Sequence, residues 1–424
     1  MTQVSVRKVI ETYKIEIKRH RLANGLCVLV IEDHSAPLAS VQMWYKVGSR
    51  NEVTGKTGLA HLLEHLMFNG TKRFPPNYYS ELVSMFGGYE NAYTSKDVTT
   101  YWAVIPSSKV ETLLELEADR MVNCTFSNFE EEKSVVMEER RLQYENNPYG
   151  MFWEYLEALA FTAHPYRRPV IGWMSDLEKM ELDDVLEFYR TFYRPDNALL
   201  AVSGDVESEQ VFSWAEQYFG DIEAGETPIP EVRTVEPPQV GEKRMKIRRW
   251  NGLRIWGAAF HIPKFSAEDY PEVAIMASLI GAGKSSRLHK ALVDEGLATE
   301  IAIQLDRTLD PGLLSIEATP KKGVSFDKIE EVVFKELDRL KDEPVSDREF
   351  TKIMNSIVSG LIFSQESIVG KGMTIASFEV LDGQDAFNRW LQRLLEVTPE
   401  RIRKAAQKYL VETNRTVVML EPSE

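Results

Sequence analysis

Polar and apolar positions alternate from Tyr13 to Glu32 around Asn24-Gly25, which reads as a hairpin, and Leu38 to Val47 continues as a strand rich in β-branched and aromatic residues. The period then lengthens. Leu59, Leu62, Leu63 and Leu66 recur at helical spacing, and at about 100° per residue they form one stripe while His61, Glu64 and His65 take the opposite face. Thr57 is the expected N-cap of this helix and Gly70 its expected end. Further on, the pattern predicts helices over Pro75 to Phe86, Ser107 to Asn123, Asn128 to Asn146, Met151 to Phe161 and Leu182 to Tyr193. Strands are expected over Thr99 to Ile105 and Asn197 to Ser203. The helix from Asn128 is acidic at its start and stopped by Asn147-Pro148.

Between about Asp221 and Val240 periodicity disappears and Pro and Glu accumulate, as in a linker. The expected organisation is a first domain over 1–220, a linker over 221–243 and a second domain over 244–424. Phe192-Tyr193-Arg194-Pro195-Asp196-Asn197 before a strand has a counterpart in Tyr409-Leu410-Val411-Glu412-Thr413-Asn414, also before a strand, at an offset of 217 residues. Carried back, that offset sets Ser278, Gly281 and Ala282 opposite His61, Glu64 and His65. The second half therefore lacks metal ligands and is expected to act as wall, lid or substrate support. Gly281-Ala282-Gly283-Lys284-Ser285 is not a phosphate loop, because Ser278 stands where that pattern needs Gly and no strand precedes it; a flexible loop near a cleft is expected.

With 424 residues, 43% hydrophobic and 27% charged, the chain can bury two or three sizeable cores. A net charge of −15 makes nucleic acid a poor partner, so none is expected, and favours cationic peptides or basic surfaces instead. Cys27 and Cys124 are too few and too far apart for a disulfide framework or a zinc ribbon, and suit a reducing compartment. Met1 to Lys18 is polar and strand-like, and no run approaches the roughly 20 apolar residues that span a bilayer, so no membrane role and a cytoplasmic location are expected.

The chemistry sits in His61-Leu62-Leu63-Glu64-His65. Imidazoles at i and i+4 stand one above the other on a helix, close enough to share a tetrahedral Zn²⁺, and the carboxylate at i+3 points into the same space as a built-in base. Reading Glu before the second His, this is the inverted form of the zinc-helix motif. A catalytic zinc needs a third protein ligand and leaves its fourth position to water. The helix over Asn128 to Asn146 is the nearest rich source of carboxylates, with Glu132 and Glu139 two turns apart on one stripe. His164, beside Pro165 and without a partner at ligand spacing, reads as a turn residue.

Gly58 to Thr71, Asn91-Ala92-Tyr93-Thr94, the Glu132 to Glu139 stripe, His164-Pro165-Tyr166 with Pro169, Ile171 and Gly172, and Tyr193-Arg194-Pro195-Asp196-Asn197 together resemble the pitrilysin (insulinase) family of zinc peptidases. The resemblance covers essentially the whole chain, and the length is similar to the short subfamily that includes mitochondrial processing peptidase, in which two such chains pair. It implies an α+β fold: two homologous α/β-sandwich domains, each a mixed, largely antiparallel sheet covered by helices, in a pair of chains closing around a chamber. It also implies one Zn²⁺ per chain on His61, His65 and Glu139, with Glu132 supporting from behind and Glu64 as general base. On spacing alone Glu138 rivals Glu139. The resemblance further implies that the edge strand at Asn91 and Ala92 takes up peptide substrate as an added β-strand, although Asn91 also suits a turn after Gly87-Gly88.

One departure stands out. Active single-chain and homodimeric relatives carry an Arg and a Tyr seven residues apart after the glycine-rich loop of the second half, holding substrate and the developing oxyanion; Leu292 and Thr299 occupy those places here. The expected function is a zinc metalloendopeptidase whose metal-bearing chain needs a homologous partner subunit. The rivals are a processing peptidase for one leader segment and a weakly active scaffold subunit.

Overall fold

The computed structural model describes residues 15–249 and 252–423; the part of the Tyr13 to Glu32 hairpin before residue 15, and most of the Met1 to Lys18 stretch, lie outside them. From there the alternating segments become strands. β1 (Lys18–Arg21) and β2 (Cys27–Glu32) form the expected hairpin, with Arg21 opposite Cys27. They join β3 (Leu38–Tyr45), β4 (Tyr89–Thr94), β5 (Thr99–Pro106) and β6 (Ala198–Gly204) in a six-stranded sheet of order β1-β2-β6-β3-β5-β4. Only β2 and β6 run parallel, and every residue of β6 is buried, as a central strand covered on both faces requires.

The second sheet holds β7 (Lys243–Arg249), β8 (Ile255–Ile262), β9 (Ala298–Leu305), β10 (Gly312–Pro320) and β11 (Arg415–Pro422) in the order β7-β11-β8-β10-β9. It repeats the order β2-β6-β3-β5-β4, with one parallel pair at the same place. The two halves also share a tether. Asn197 Nδ2 donates to the Phe192 carbonyl at 2.9 Å and Asn414 Nδ2 to the Tyr409 carbonyl at 2.8 Å, each drawing the end of a helix onto the start of the following strand. The chain is thus an α+β protein of two similarly built sheets covered by helices.

Four helices position the site and join the halves: α1 (Leu59–Leu66), α2 (Phe129–Arg140), α3 (Pro148–Ala160) and α4 (Ile368–Asp382). Most helix and strand ends fall within a few residues of the sequence expectation. The long acidic helix, however, is not uniform. It is α-helical only to Arg140 and then widens into a π-turn over Arg141–Glu145.

The halves interlock. α3 comes from the first half but packs on the second sheet, where Met151, Phe152 and Leu156 meet Ile255, Ala259, Val418 and Leu420. Gly257 is needed there, because a Cβ would lie 2.4 Å from the Phe152 ring. In return, α4 of the second half lies on the first sheet: Gln42 Nε2 donates to the Val369 carbonyl at 3.1 Å and Ser203 Oγ to that of Ile368 at 2.5 Å. The Pro- and Glu-rich segment between Gly220 and Lys243 has no strand or helix but is pinned along its course. Glu236 accepts from the backbone N–H groups of Thr162, Ala163 and His164 at 2.6–2.9 Å, and Gln239 Nε2 donates to the Arg415 carbonyl at 2.7 Å. Among the described residues no helix is long and apolar enough to cross a membrane.

One buried acid makes stability depend on pH. Glu317 on β10 is 5% exposed, and burial, reinforced by the charge of Glu300, pushes its pKa up to about 7. An unfolded Glu titrates near 4.3, so between those values the folded state holds the extra proton and stability falls as pH rises. Glu317→Gln removes that ionisation. Its thermal midpoint should exceed the parent's at pH 8, where the stability difference is roughly 3–4 kcal/mol, and match it near pH 4. An equal gain at both pH values would mean that packing and not charge is responsible.

Candidate metal and peptide site

α1 sets out the chemistry as its period predicts. Leu59, Leu62, Leu63 and Leu66 are at most 3% exposed, and the opposite face carries His61, Glu64 and His65. Its ends differ from expectation. Gly58, at φ 92°, is the N-cap, and a Cβ there would lie 2.5 Å from the Ile171 carbonyl oxygen. The free helix N–H groups are satisfied from a distance: both Gly58 N and Ala60 N donate to the Glu52 carboxylate at 2.9 Å. Thr57 instead gives its N–H and hydroxyl to Asp176 Oδ2, at 3.2 and 2.7 Å. Gly70 lies beyond the helix, which stops at Leu66 with Met67 as its C-cap.

α2 brings its acidic stripe over the two imidazoles. Glu139 Oε2 lies 3.7 Å from His61 Nε2 and 3.5 Å from His65 Nε2, and Glu132 Oε2 lies 3.4 Å from His65 Nδ1. Glu138 turns outward to an ion pair with Arg141 at 3.0 Å. Two donors on one tetrahedral zinc, each about 2.0–2.2 Å from it, stand roughly 3.4 Å apart, so the two distances from Glu139 to the imidazoles are within a few tenths of an ångström of that spacing. Among the described residues, one group of three His, Cys, Asp or Glu side chains is placed to share an ion: His61, His65 and Glu139, with ligand atoms all within 4.8 Å. Two imidazole nitrogens and one carboxylate are a donor set that zinc accepts while keeping a position open. His61 Nδ1 is buried without a hydrogen-bond partner among the described residues.

The electrostatics suit the same ion. Burial and the neighbouring His65 push His61 down to about 4, so its ring is neutral and its lone pair is available. Burial works against the His65 cation too, but contact with Glu139 and the charges of Glu64, Glu139 and Glu132 hold it above its ordinary value. His65 in turn holds Glu139 below the usual carboxylate range. A divalent cation that takes both lone pairs displaces the proton they share. Glu64 moves the other way: burial raises its pKa although Thr94 Oγ1 donates to its Oε2 at 2.5 Å. A carboxyl group poised in this manner can both take and return a proton.

Two contributors escape a reading of the sequence. Thr94 follows from strand alternation, since on β4 Ala92 and Thr94 face α1 while Asn91 and Tyr93 face away. Gln143, one turn past Glu139, donates to Glu139 Oε1 at 2.7 Å. Asn91 lies within β4, opposite Trp102, and not in a turn; its Oδ1 accepts from Ala92 N at 2.8 Å. β4 is the edge of its sheet, with one side open. His164 is buried and holds a turn: its Nδ1 accepts from Tyr166 N at 3.2 Å, and its Nε2 lies 3.1 Å from Asp310 Oδ2.

In the second half, Leu292 is buried in the core, and Thr299 lies at the start of β9 with Oγ1 donating to the Thr319 carbonyl at 3.2 Å. Arg287 is engaged by Glu349, at 3.2 Å through both Nε and Nη2. A cavity of about 730 Å³ opens between the halves, on the far side of β4 from α1, and both Tyr93 and Gln143 line it.

A two-histidine, one-carboxylate cluster beside a buried Glu, next to an open sheet edge, has the makings of a zinc hydrolase centre. The chain belongs to the peptidase family M16: residues 27–173 match the family described as Insulinase (Peptidase family M16), and residues 179–357 match the Peptidase M16 inactive domain. It is 30% identical over 408 residues to the zinc protease PqqE of Helicobacter pylori, covering 95% of this chain and 92% of that one. It is 25% identical over 405 residues to the mitochondrial-processing peptidase subunit beta of Lentinula edodes, covering 92% of this chain and 86% of that one. The crystal structure of a protease from Helicobacter pylori superposes with a TM-score of 0.94 at 30% identity, covering 96% of this chain and all (100%) of the other.

Proposed function

We propose that this chain is a zinc metalloendopeptidase in which His61, His65 and Glu139 hold one zinc ion and Glu64 is the general base. The reading rests above all on the convergence of His61 Nε2 and His65 Nε2 on Glu139 Oε2, at 3.7 and 3.5 Å. Bound there, zinc supplies Lewis acidity toward water and toward the scissile carbonyl. The protein's own groups do the rest. Glu64, anchored through Oε2 by Thr94, takes a proton from water on its free oxygen and returns it to the leaving amine. Glu132 orients His65 through Nδ1. The open edge of β4 at Asn91 and Ala92 receives the peptide backbone as an added strand, which gives affinity with little demand on sequence.

We further infer that a homologous partner chain completes a closed chamber and that the pair works in the cytoplasm, where the unpaired Cys27 and Cys124 suit a reducing milieu. Incubation with mixed short peptides and with a large folded protein tests this reading. The peptides should be cut at many sites and the folded protein spared, with all cleavage stopped by a zinc chelator. A single cut within one leader peptide would favour the processing reading, which the likeness to a mitochondrial-processing peptidase subunit also supports. Undiminished cleavage in chelator would refute a metal mechanism.

A further inference from the structure

The cavity between the halves carries a cation that no acid among the described residues neutralises. Arg307 lies on its wall, in the corner that joins β9 to β10. The acids around it are spoken for. Lys96 pairs with Glu157 at 2.9 Å and with Asp306 at 3.3 Å, and Arg140 pairs with Glu154 at 2.9 Å. The Arg307 guanidinium has no carboxylate and no hydrogen-bond acceptor in reach among the described residues. It rests on two aromatic faces, 5.0 Å from the Phe265 centroid and 4.8 Å from that of Phe378. Two rings this close attract the cation without taking up its N–H groups as a carboxylate would.

The corner itself is held on both sides. The Asp306 carbonyl accepts from Tyr270 OH at 2.7 Å, Asp306 N donates to the Leu313 carbonyl at 2.9 Å, and the Thr308 carbonyl accepts from Phe265 N at 3.0 Å. A guanidinium held in place, solvent-accessible and without a carboxylate partner among the described residues, in a chain of net charge −15, is free to take an anion that enters the cavity. Protein mass around it lowers its pKa below the ordinary arginine value, with only the hydroxyls of Tyr270 and Tyr93 opposing.

The cavity is also in line with the proposed site. Thr94 on one face of β4 touches Glu64, and Tyr93 on the other face lines the cavity, as does Gln143, which holds Glu139. A peptide laid along the β4 edge places successive side chains on opposite faces, so a residue beside the one at the metal turns toward Arg307.

We propose that Arg307 reads a carboxylate of the bound peptide, an acidic side chain or the C-terminal carboxylate, and so gives this chamber a preference for anionic peptides. This rests on the peptidase reading above. It runs against what net charge alone suggests, since an acidic protein would be expected to collect basic peptides.

The test is binding of labelled peptides to the full chain carrying Glu64→Gln, which silences turnover, with Arg307 intact or replaced. Two peptide arms separate the sources: Glu against Gln within the peptide, and free acid against amide at its C-terminus. With Arg307 intact, one arm should favour the carboxylate by about ten- to hundred-fold, the range of a charge-assisted hydrogen bond. Arg307→Ala should erase that preference, and Arg307→Glu should reverse it in favour of a Lys-bearing peptide. A reversed preference cannot come from a misfolded chain. Peptide binding that is equal in both arms and unchanged by Arg307→Glu would overturn the inference while leaving the peptidase reading intact. Failure of every peptide to bind would overturn both.

Discussion

Glu64→Gln should keep a full equivalent of zinc and lose at least about a thousand-fold in peptide hydrolysis. The carboxamide fits the same buried place beside Thr94 but can neither take nor return a proton, and positioned proton transfer typically contributes 10²- to 10⁴-fold. His61→Ala, His65→Ala and Glu139→Ala should behave in the opposite order, losing the metal first and activity with it, because each removes one of three protein ligands. Glu132→Ala should weaken zinc by about 10- to 100-fold without abolishing it, as loss of a group behind a histidine ligand does. Metal analysis after dialysis, set beside turnover, separates these classes. Full zinc in Glu139→Ala would sink the ligand assignment. Loss of zinc in Glu138→Ala would show that α2 is rolled by one residue against α1.

The metal helix is the most legible part of the sequence because its two faces agree: the leucine stripe fixes which side is buried, and that leaves His61, Glu64 and His65 no choice of side. The ligand from α2 is less legible. Glu138 and Glu139 differ by about 100° around the helix, and which of them faces α1 depends on how α2 is rolled against its neighbours, which no local pattern encodes. The cap of α1 departs from expectation for a related reason. Thr57 has the right chemistry next to the helix, but Glu52 folds back from six residues upstream and takes both N–H groups, while Thr57 is claimed by Asp176.

The repeat is visible in sequence only where a turn demands particular residues, at Asn197 and Asn414; the sheets themselves share order without shared side chains. Least visible is the exchange of α3 and α4. Each has an apolar face that sequence can mark, but nothing in that face says that it will cover the other half's sheet. Arg307 gives no signal of its own, because an Arg at a strand end is ordinary until the groups around it are known.

The purified chain by itself should bind zinc yet cleave peptides at least about a hundred-fold more slowly than a mixture with a homologous chain that carries the Arg and Tyr pair. Attack on a carbonyl builds negative charge on its oxygen, and removing one fixed donor from such a site typically costs 10²- to 10³-fold. Here the residues expected at those two places cannot donate to it. Leu292 is apolar and buried, and the Thr299 hydroxyl is already spent on the Thr319 carbonyl. Arg287, the nearest arginine in sequence, is closed off by its two contacts with Glu349. The deficit should fall on kcat more than on KM, because the β4 edge that would hold the peptide is present in this chain. Leu292→Arg would not restore the donor, since the side chain at that position is packed in the core and a guanidinium there would be buried without a partner. The informative comparison is turnover of the single chain against the mixture at equal zinc content, and full activity from the single chain would refute the missing-donor argument.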